Sequence, residues 1–199
     1  MTDVKKGLAG MKKSPGVSPD AKERLAKSAD RSGLLDVAFT TVDSPFGELV
    51  VAATKKGLVH VAYPGDRDPL EHIARTVSPR LMENPKRLDG VRRELDRYFD
   101  GRLEDFTVPI DWAFARGFAG RVLKATARIP FGRVSTYRDV ARKAGNVKAT
   151  RAAGNALGSN PMPIVVPCHR VLRSGGGLGG YTGGLDRKVF LLELEGFEA

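Results

Sequence analysis

From Leu34 to Tyr63 the apolar positions fall in three short runs rich in Val, Ala and Thr, each cut off by turn formers. Asp36 to Val42 runs into Ser44-Pro45-Phe46-Gly47, Glu48 to Thr54 into Lys55-Lys56-Gly57, and Leu58 to Tyr63 closes the set. Strand-length runs with such punctuation predict an antiparallel meander. The period then changes. Pro69 to Val77 reads as a helix. Lys86 to Asp100 is a clearer one, because Leu88, Val91, Leu95 and Phe99 recur at helical spacing and Gly101 suits the position just past a helix end. Phe106 to Trp112 bridges to a further helix, Phe118 to Ile129, which Pro130-Phe131-Gly132 stops.

Two short helices follow. Thr136 is a capping residue and Asp139, three positions on, completes a capping box. Gly145-Asn146 makes a turn, and a second helix spans about Val147 to Gly158. At 100° per residue, Ala149, Ala152, Ala153, Ala156 and Leu157 share one face, and Arg151 points away from it. Val147, Gly154, Asn155 and Gly158 flank Arg151. An outer face of small residues around one long cation suits close approach of a sugar-phosphate backbone; a solvated amphipathic helix is the plainer reading.

Charge changes the picture more than composition does. At 41% hydrophobic and 28% charged, the chain is ordinary for a soluble globular protein. Its net charge of +10 is unevenly spread: residues 112–199 hold 14 basic and 5 acidic side chains, residues 34–111 hold 11 and 14. A basic C-terminal half points to a polyanionic partner. Residues 1–33 are rich in Lys, Ser, Pro and Gly and poor in apolar residues, so a basic, flexible tail is expected, with at most a short helix from Asp20 to Ala29. Three parts follow: the tail, an N-terminal α/β domain over 34–111 and a C-terminal domain over 112–199. No run is long and apolar enough to span a bilayer, and the N-terminus lacks a signal-peptide core, so no membrane role and a cytoplasmic location are expected. A single cysteine and three scattered histidines, His60, His72 and His169, leave no metal-ligand cluster.

That cysteine sits in Pro161-Met162-Pro163-Ile164-Val165-Val166-Pro167-Cys168-His169-Arg170-Val171. Pro167 has a fixed φ and no N–H, so the chain reaches Cys168 stiff and non-helical. A lone cysteine is most often a buried structural one. An imidazole and a guanidinium beside it instead suit a reactive thiol.

Pro167 to Val171 resembles the active-site motif of the O6-alkylguanine-DNA alkyltransferases. The likeness extends through Val134-Ser135-Thr136-Tyr137, Ala144-Gly145-Asn146, the run Arg151 to Pro163, and Gly180-Tyr181-Thr182-Gly183-Gly184-Leu185. It implies an α+β protein: an N-terminal antiparallel three-stranded sheet with helices, ribonuclease H-like, and a mostly helical C-terminal domain with a winged-helix-like helix-turn-helix. It implies irreversible, single-turnover transfer of the alkyl group from O6-alkylguanine, and O4-alkylthymine, in double-stranded DNA to Cys168. By the same resemblance, His169 is the base of a Glu–His–water–Cys relay, Glu195 holds its tautomer, and Asn160 orders the loops around the thiol. Tyr137 crowds the target's 3′ phosphate and donates to the flipped base. Arg151 fills the gap in the duplex. Thr150, Ala152, Gly154 and Asn155 join Arg151 and Tyr137 against DNA, mainly in the minor groove, and Pro163, Val171, Tyr181, Thr182 and Gly183 form the alkyl pocket. A monomer is expected, with cooperative binding along DNA open. Animal members carry zinc in the N-terminal domain; this chain lacks those ligands, so no metal and no cofactor are expected. The glycine-rich loop Ser174 to Gly184 predicts a pocket open to groups as large as benzyl. Two rivals are a lesion sensor, which lacks the cysteine in the alkyltransferase-like proteins, and a cysteine hydrolase, for which adjacent Cys168 and His169 are an unusual arrangement.

Overall fold

The computed structural model describes residues 18–197. Helix α1 (Pro19–Arg31) is capped by Ser18, whose side chain accepts from Ala21 N. It contains the short helix expected from Asp20 to Ala29 and extends it slightly at both ends. Ala26 is buried, and Asp30 faces Arg87 at 3.5 Å, so the helix is held by the domain it packs on. The remainder of the expected tail, residues 1–17, lies outside the described residues.

Strands β1 (Val37–Val42), β2 (Leu49–Thr54) and β3 (Gly57–Ala62) form the expected antiparallel meander. After helix α2 (Pro69–Thr76), a short strand β4 (Leu81–Glu83) pairs parallel with β1, giving a four-stranded sheet in the order β3-β2-β1-β4. Strand β4 has no signal in the sequence, because three residues carry no periodicity. The stretch from Pro85 begins as one 3₁₀ turn and becomes helix α3 (Asp89–Phe99); Gly101 ends it at φ +67°, the left-handed conformation glycine adopts freely.

Helix α4 (Gly117–Thr126) leads to the two-residue strand β5 (Ser135–Thr136), helix α5 (Tyr137–Lys143) and helix α6 (Thr150–Gly158). The capping box forms: Thr136 Oγ1 accepts from Asp139 N at 3.1 Å and donates to its carboxylate at 2.7 Å. On α6, Ala153, Ala156 and Leu157 are buried, whereas Ala152 is exposed; the helix starts three residues later than expected. Strand β6 (Val171–Leu172) pairs parallel with β5, and helix α7 (Leu185–Leu194) closes the chain.

Alternation in the strands gives the sheet two apolar faces. Val37, Ala52 and Val59 pack with Ile73 of α2. The other face, with Ala38, Val51 and Val61, joins α3, α4, α5, α6 and the segment from Met162 to Cys168 in one continuous core. Burying one such Leu or Val is worth about 1.5–3 kcal/mol. The N-terminal sheet and the cysteine segment therefore share one support, reinforced where Val61 N donates to Pro161 O at 2.8 Å. No described helix is long and apolar enough to cross a membrane.

Candidate active site

The chain from Asn160 to Val171 is irregular but fully bonded. Asn160 staples it: Oδ1 accepts from Met162 N at 3.1 Å, and Nδ2 donates to Val166 O at 2.8 Å and to Cys168 Sγ at 3.2 Å. Ile164 takes φ +72° while wholly buried, a strained conformation for a β-branched residue that surrounding packing must hold. Cys168, His169 and Arg170 then form one 3₁₀ turn.

Behind the thiol lies a buried ionic network. His169 Nε2 is 2.8 Å from Glu195 Oε1. Arg170 grips the same carboxylate in bidentate fashion, Nε to Oε2 at 2.7 Å and Nη2 to Oε1 at 2.9 Å, and also donates to Ile129 O. Tyr98 of α3 donates to Glu195 Oε1 at 2.7 Å. Burial would raise the Glu195 pKa, but the bonds from His169 and Arg170 overturn that and hold it at about 2. Burial, by contrast, pushes His169 down despite Glu195. Arg170 already neutralises the carboxylate, so a neutral imidazole is the resting form. With its Nε2–H donated to Glu195, the lone pair lies on Nδ1, which is buried and has no partner among the described residues. Burial also raises the Cys168 pKa; the Asn160 bond, the Lys188 charge and the backbone N–H groups of Cys168 and His169 oppose it. The resting group is therefore the neutral thiol.

Cys168 is only 7% exposed, yet it lines two cavities. The larger, ≈ 800 Å³, opens between α6 and the glycine-rich loop, past Tyr137, Thr150, Arg151, Gly154 and Asn155. Arg151, Ala152 and Asn155 are exposed. Tyr137 is half-buried, and its hydroxyl donates to Gly180 O at 3.3 Å. The smaller cavity, ≈ 310 Å³, is lined by Pro163, Tyr181, Thr182 and Gly183 and runs out to His60 and His72. Val171 departs from expectation. It is buried in β6, paired with Ser135, and lines neither cavity; its carbonyl accepts from Lys188 Nζ at 2.7 Å.

The far wall of the smaller cavity is braced by the N-terminal region. Tyr63 and Tyr181 share a hydroxyl–hydroxyl bond of 2.7 Å. Arg187 stacks on the Tyr63 ring at 4.5 Å and donates to Gly183 O and Pro64 O. A Cβ on Gly183 would lie 2.7 Å from Tyr63 and 2.8 Å from Tyr181. This glycine therefore lets two rings close together, and does not leave the space open as its lack of a side chain suggested. Among the described residues no three potential ligands gather into a metal site.

Two family models cover nearly all of this architecture: the ribonuclease-like domain of 6-O-methylguanine DNA methyltransferase over residues 37–112, and its DNA-binding domain over 117–197. The chain belongs to this family. A methylated-DNA–protein-cysteine methyltransferase of Methanosarcina barkeri is 37% identical over 79% of this chain and 96% of its own length. One from Mycolicibacterium paratuberculosis is 39% identical over 80% and 92%. Among solved structures, Mycobacterium tuberculosis OGT in complex with DNA superposes with a TM-score of 0.69 at 38% identity, covering 79% of this chain and 92% of that one.

The fold brings Cys168, Asn160, Tyr137, Pro163, Tyr181, Thr182 and Gly183 around the two cavities, with His169 and Glu195 behind the thiol. Four contributors escaped the sequence reading. Tyr98 and Tyr63 come from the N-terminal half; the helical spacing in the sequence ends on Phe99, whereas Tyr98 is the residue turned fully inward, and Tyr63 reads as the end of a strand. Lys188 is wholly buried, donating to Val171 O and Leu178 O, its pKa lowered to about 8 by burial. A lysine on an otherwise apolar helix face is a legible signal. Arg187 carries none.

Proposed function

We propose that this protein repairs DNA by direct reversal, taking the alkyl group from O6 of guanine in double-stranded DNA onto Cys168 in a single turnover. The observation that carries the reading is Cys168 itself: a thiol at the junction of two cavities, backed by a carboxylate–imidazole pair whose Nδ1 is buried without a partner among the described residues. The larger cavity takes a base turned out of the stack, since the target atom is unreachable in a duplex. Exposed Arg151 occupies the gap, and Tyr137 stands beside the phosphate and the base. Binding is through the minor groove by a monomer, with Thr150, Ala152, Gly154 and Asn155 close to the backbone. His169, through one bridging water, takes the thiol proton. Sulfur then attacks the alkyl carbon, the C–O6 bond breaks, and guanine leaves with one proton gained. Glu195, held by Arg170, keeps the imidazole in the tautomer that can accept. The thioether product is stable, so each molecule acts once.

Two working units, 34–111 and 112–199, share this site, and the unpaired thiol suits the reducing cytoplasm. The ≈ 310 Å³ cavity beyond Cys168 supports acceptance of groups larger than methyl, including benzyl, and of O4-alkylthymine. The test is mass spectrometry after incubation with DNA carrying O6-methylguanine. A permanent gain of one methyl on Cys168, absent in Cys168→Ser while DNA binding is kept, is the expected result. Retained transfer in Cys168→Ser overturns the assignment, as does repeated turnover; absence of any adduct in the parent returns the protein to lesion sensing.

A further inference from the structure

Glu195 is over-supplied with donors on one side. Oε1 takes three, from His169, Arg170 and Tyr98, whereas Oε2 takes one, from Arg170. The carboxylate needs His169 to fix the tautomer and Arg170 to balance its charge. The Tyr98 bond serves neither purpose. Tyr98 comes from α3, in the other half of the molecule, and its side chain is wholly buried against Phe99, Phe106 and Phe131.

We infer that Tyr98 is a positioning residue of the alkyl-transfer site, whose hydroxyl sets how strongly Glu195 supports a positive charge on His169. The inference rests on the relay reading given above. A donor on Oε1 draws negative charge away from the oxygen that faces the imidazole. Proton transfer from Cys168 to His169 places a positive charge on that ring. The weaker the field of Oε1, the less that charged form is stabilised. Tyr98 thus restrains the basicity of His169 and keeps the resting pair as thiol and neutral imidazole. Burial and the Glu195 charge push the phenol's own pKa far up, so it cannot act as anything but a donor here. The other charged or titratable groups bearing on the site are Arg170 from the 3₁₀ turn, Lys188 from α7, Cys168, Tyr63 just past β3, and Tyr181 from the glycine-rich loop. None of them besides Arg170 bonds to Glu195.

Through Tyr98 the N-terminal region takes a part in the chemistry as well as in the packing. A merely structural tyrosine would change melting temperature and leave the pH profile of transfer in place.

The experiment measures the second-order rate of methyl transfer from O6-methylguanine DNA between pH 5 and 9. Three variants are compared with the parent: Tyr98→Phe, 3-fluorotyrosine incorporated at position 98, and Glu195→Gln. Phenylalanine removes the donor and raises the basicity of His169, so the limb on which the imidazole must be neutral should move to higher pH by about half a unit or more, as for a hydrogen bond to a charged group. Fluorotyrosine is a stronger donor and should move it the opposite way, and it preserves the packing if Tyr98→Phe fails to fold. A profile that moves in Glu195→Gln but in neither position-98 protein overturns the role of Tyr98 alone. A profile unmoved in Glu195→Gln overturns the relay reading and this inference with it.

Discussion

The buried network behind Cys168 and the rim of the larger cavity in front of it are built on opposite rules. Behind, the two oxygens of Glu195 take four side-chain bonds between 2.7 and 2.9 Å, from groups almost wholly removed from water. In front, residues 173–177 and Gly180 are exposed, Tyr137 is tethered by one 3.3 Å bond, and Arg151 has no bonded partner among the described residues. On the mechanism proposed above, the difference follows from what each part would have to do. Proton transfer requires fixed donors and acceptors, because a misplaced buried charge is costly. Entry of a turned-out base requires side chains that are free to be displaced. Glycine lowers the resistance of the loop to such rearrangement at the expense of a larger ordering entropy.

The largest expected effect comes from breaking the buried side. Arg170→Met leaves Glu195 buried without its counter-charge and should cost about 3–5 kcal/mol of stability, read as a large fall in the denaturant midpoint. Its pH signature sharpens the point. Glu195 is held at about 2, below its ordinary 4.5, so its stabilisation is fully present above about 4.5 and disappears as the pH falls toward 2. In Arg170→Met that acid-side loss should begin at higher pH. An unchanged acid limb would mean that Arg170 is not what holds the carboxylate ionised.

Arg151→Ala is expected to act on the rim without touching the network. Repair of duplex DNA should slow by an order of magnitude or more, since unstacking a base costs a few kcal/mol. Reaction with a free O6-benzylguanine base should stay near the parent rate, and stability should hold within about 0.5 kcal/mol. Equal loss on both substrates would place Arg151 in the chemistry and dissolve the contrast.

Tyr63→Phe tests the wall where the two parts meet. It removes the 2.7 Å bond to Tyr181 and keeps the Arg187 stacking. The expected cost is about 1 kcal/mol in stability, with a change of a few-fold in the ratio of benzyl to methyl transfer rates. A constant ratio would show that the brace does not shape the alkyl cavity. Gly183→Trp is not the selective probe that a side-chain-free loop suggests. With Tyr63 and Tyr181 within 2.8 Å of the missing Cβ, it should impair both substrates.

How much of this was legible beforehand depends on the range over which each feature is specified. The meander, the capping box at Thr136 and Asp139, the helix stop at Gly101 and the Pro-Cys-His-Arg motif are local, and periodicity, backbone preference and motif spacing disclose them in the sequence alone. So is the uneven charge, which pointed to a polyanion. The packing of helix α1 depends on a neighbour, through Ala26 and Asp30, and its own composition does not disclose it. Val171 was misplaced because adjacency to a motif does not say which side of a strand faces a cavity.

Only the tertiary structure decided that Glu195, 26 positions from His169 in the chain, and Tyr98, 97 positions from Glu195, meet at one carboxylate oxygen. It also decided that the glycine at 183 admits two tyrosine rings. Such contacts join residues that share no local pattern. They exist because the sheet, α3 and the cysteine segment bury their apolar faces in one core, and the polar atoms carried inward with them must find partners there.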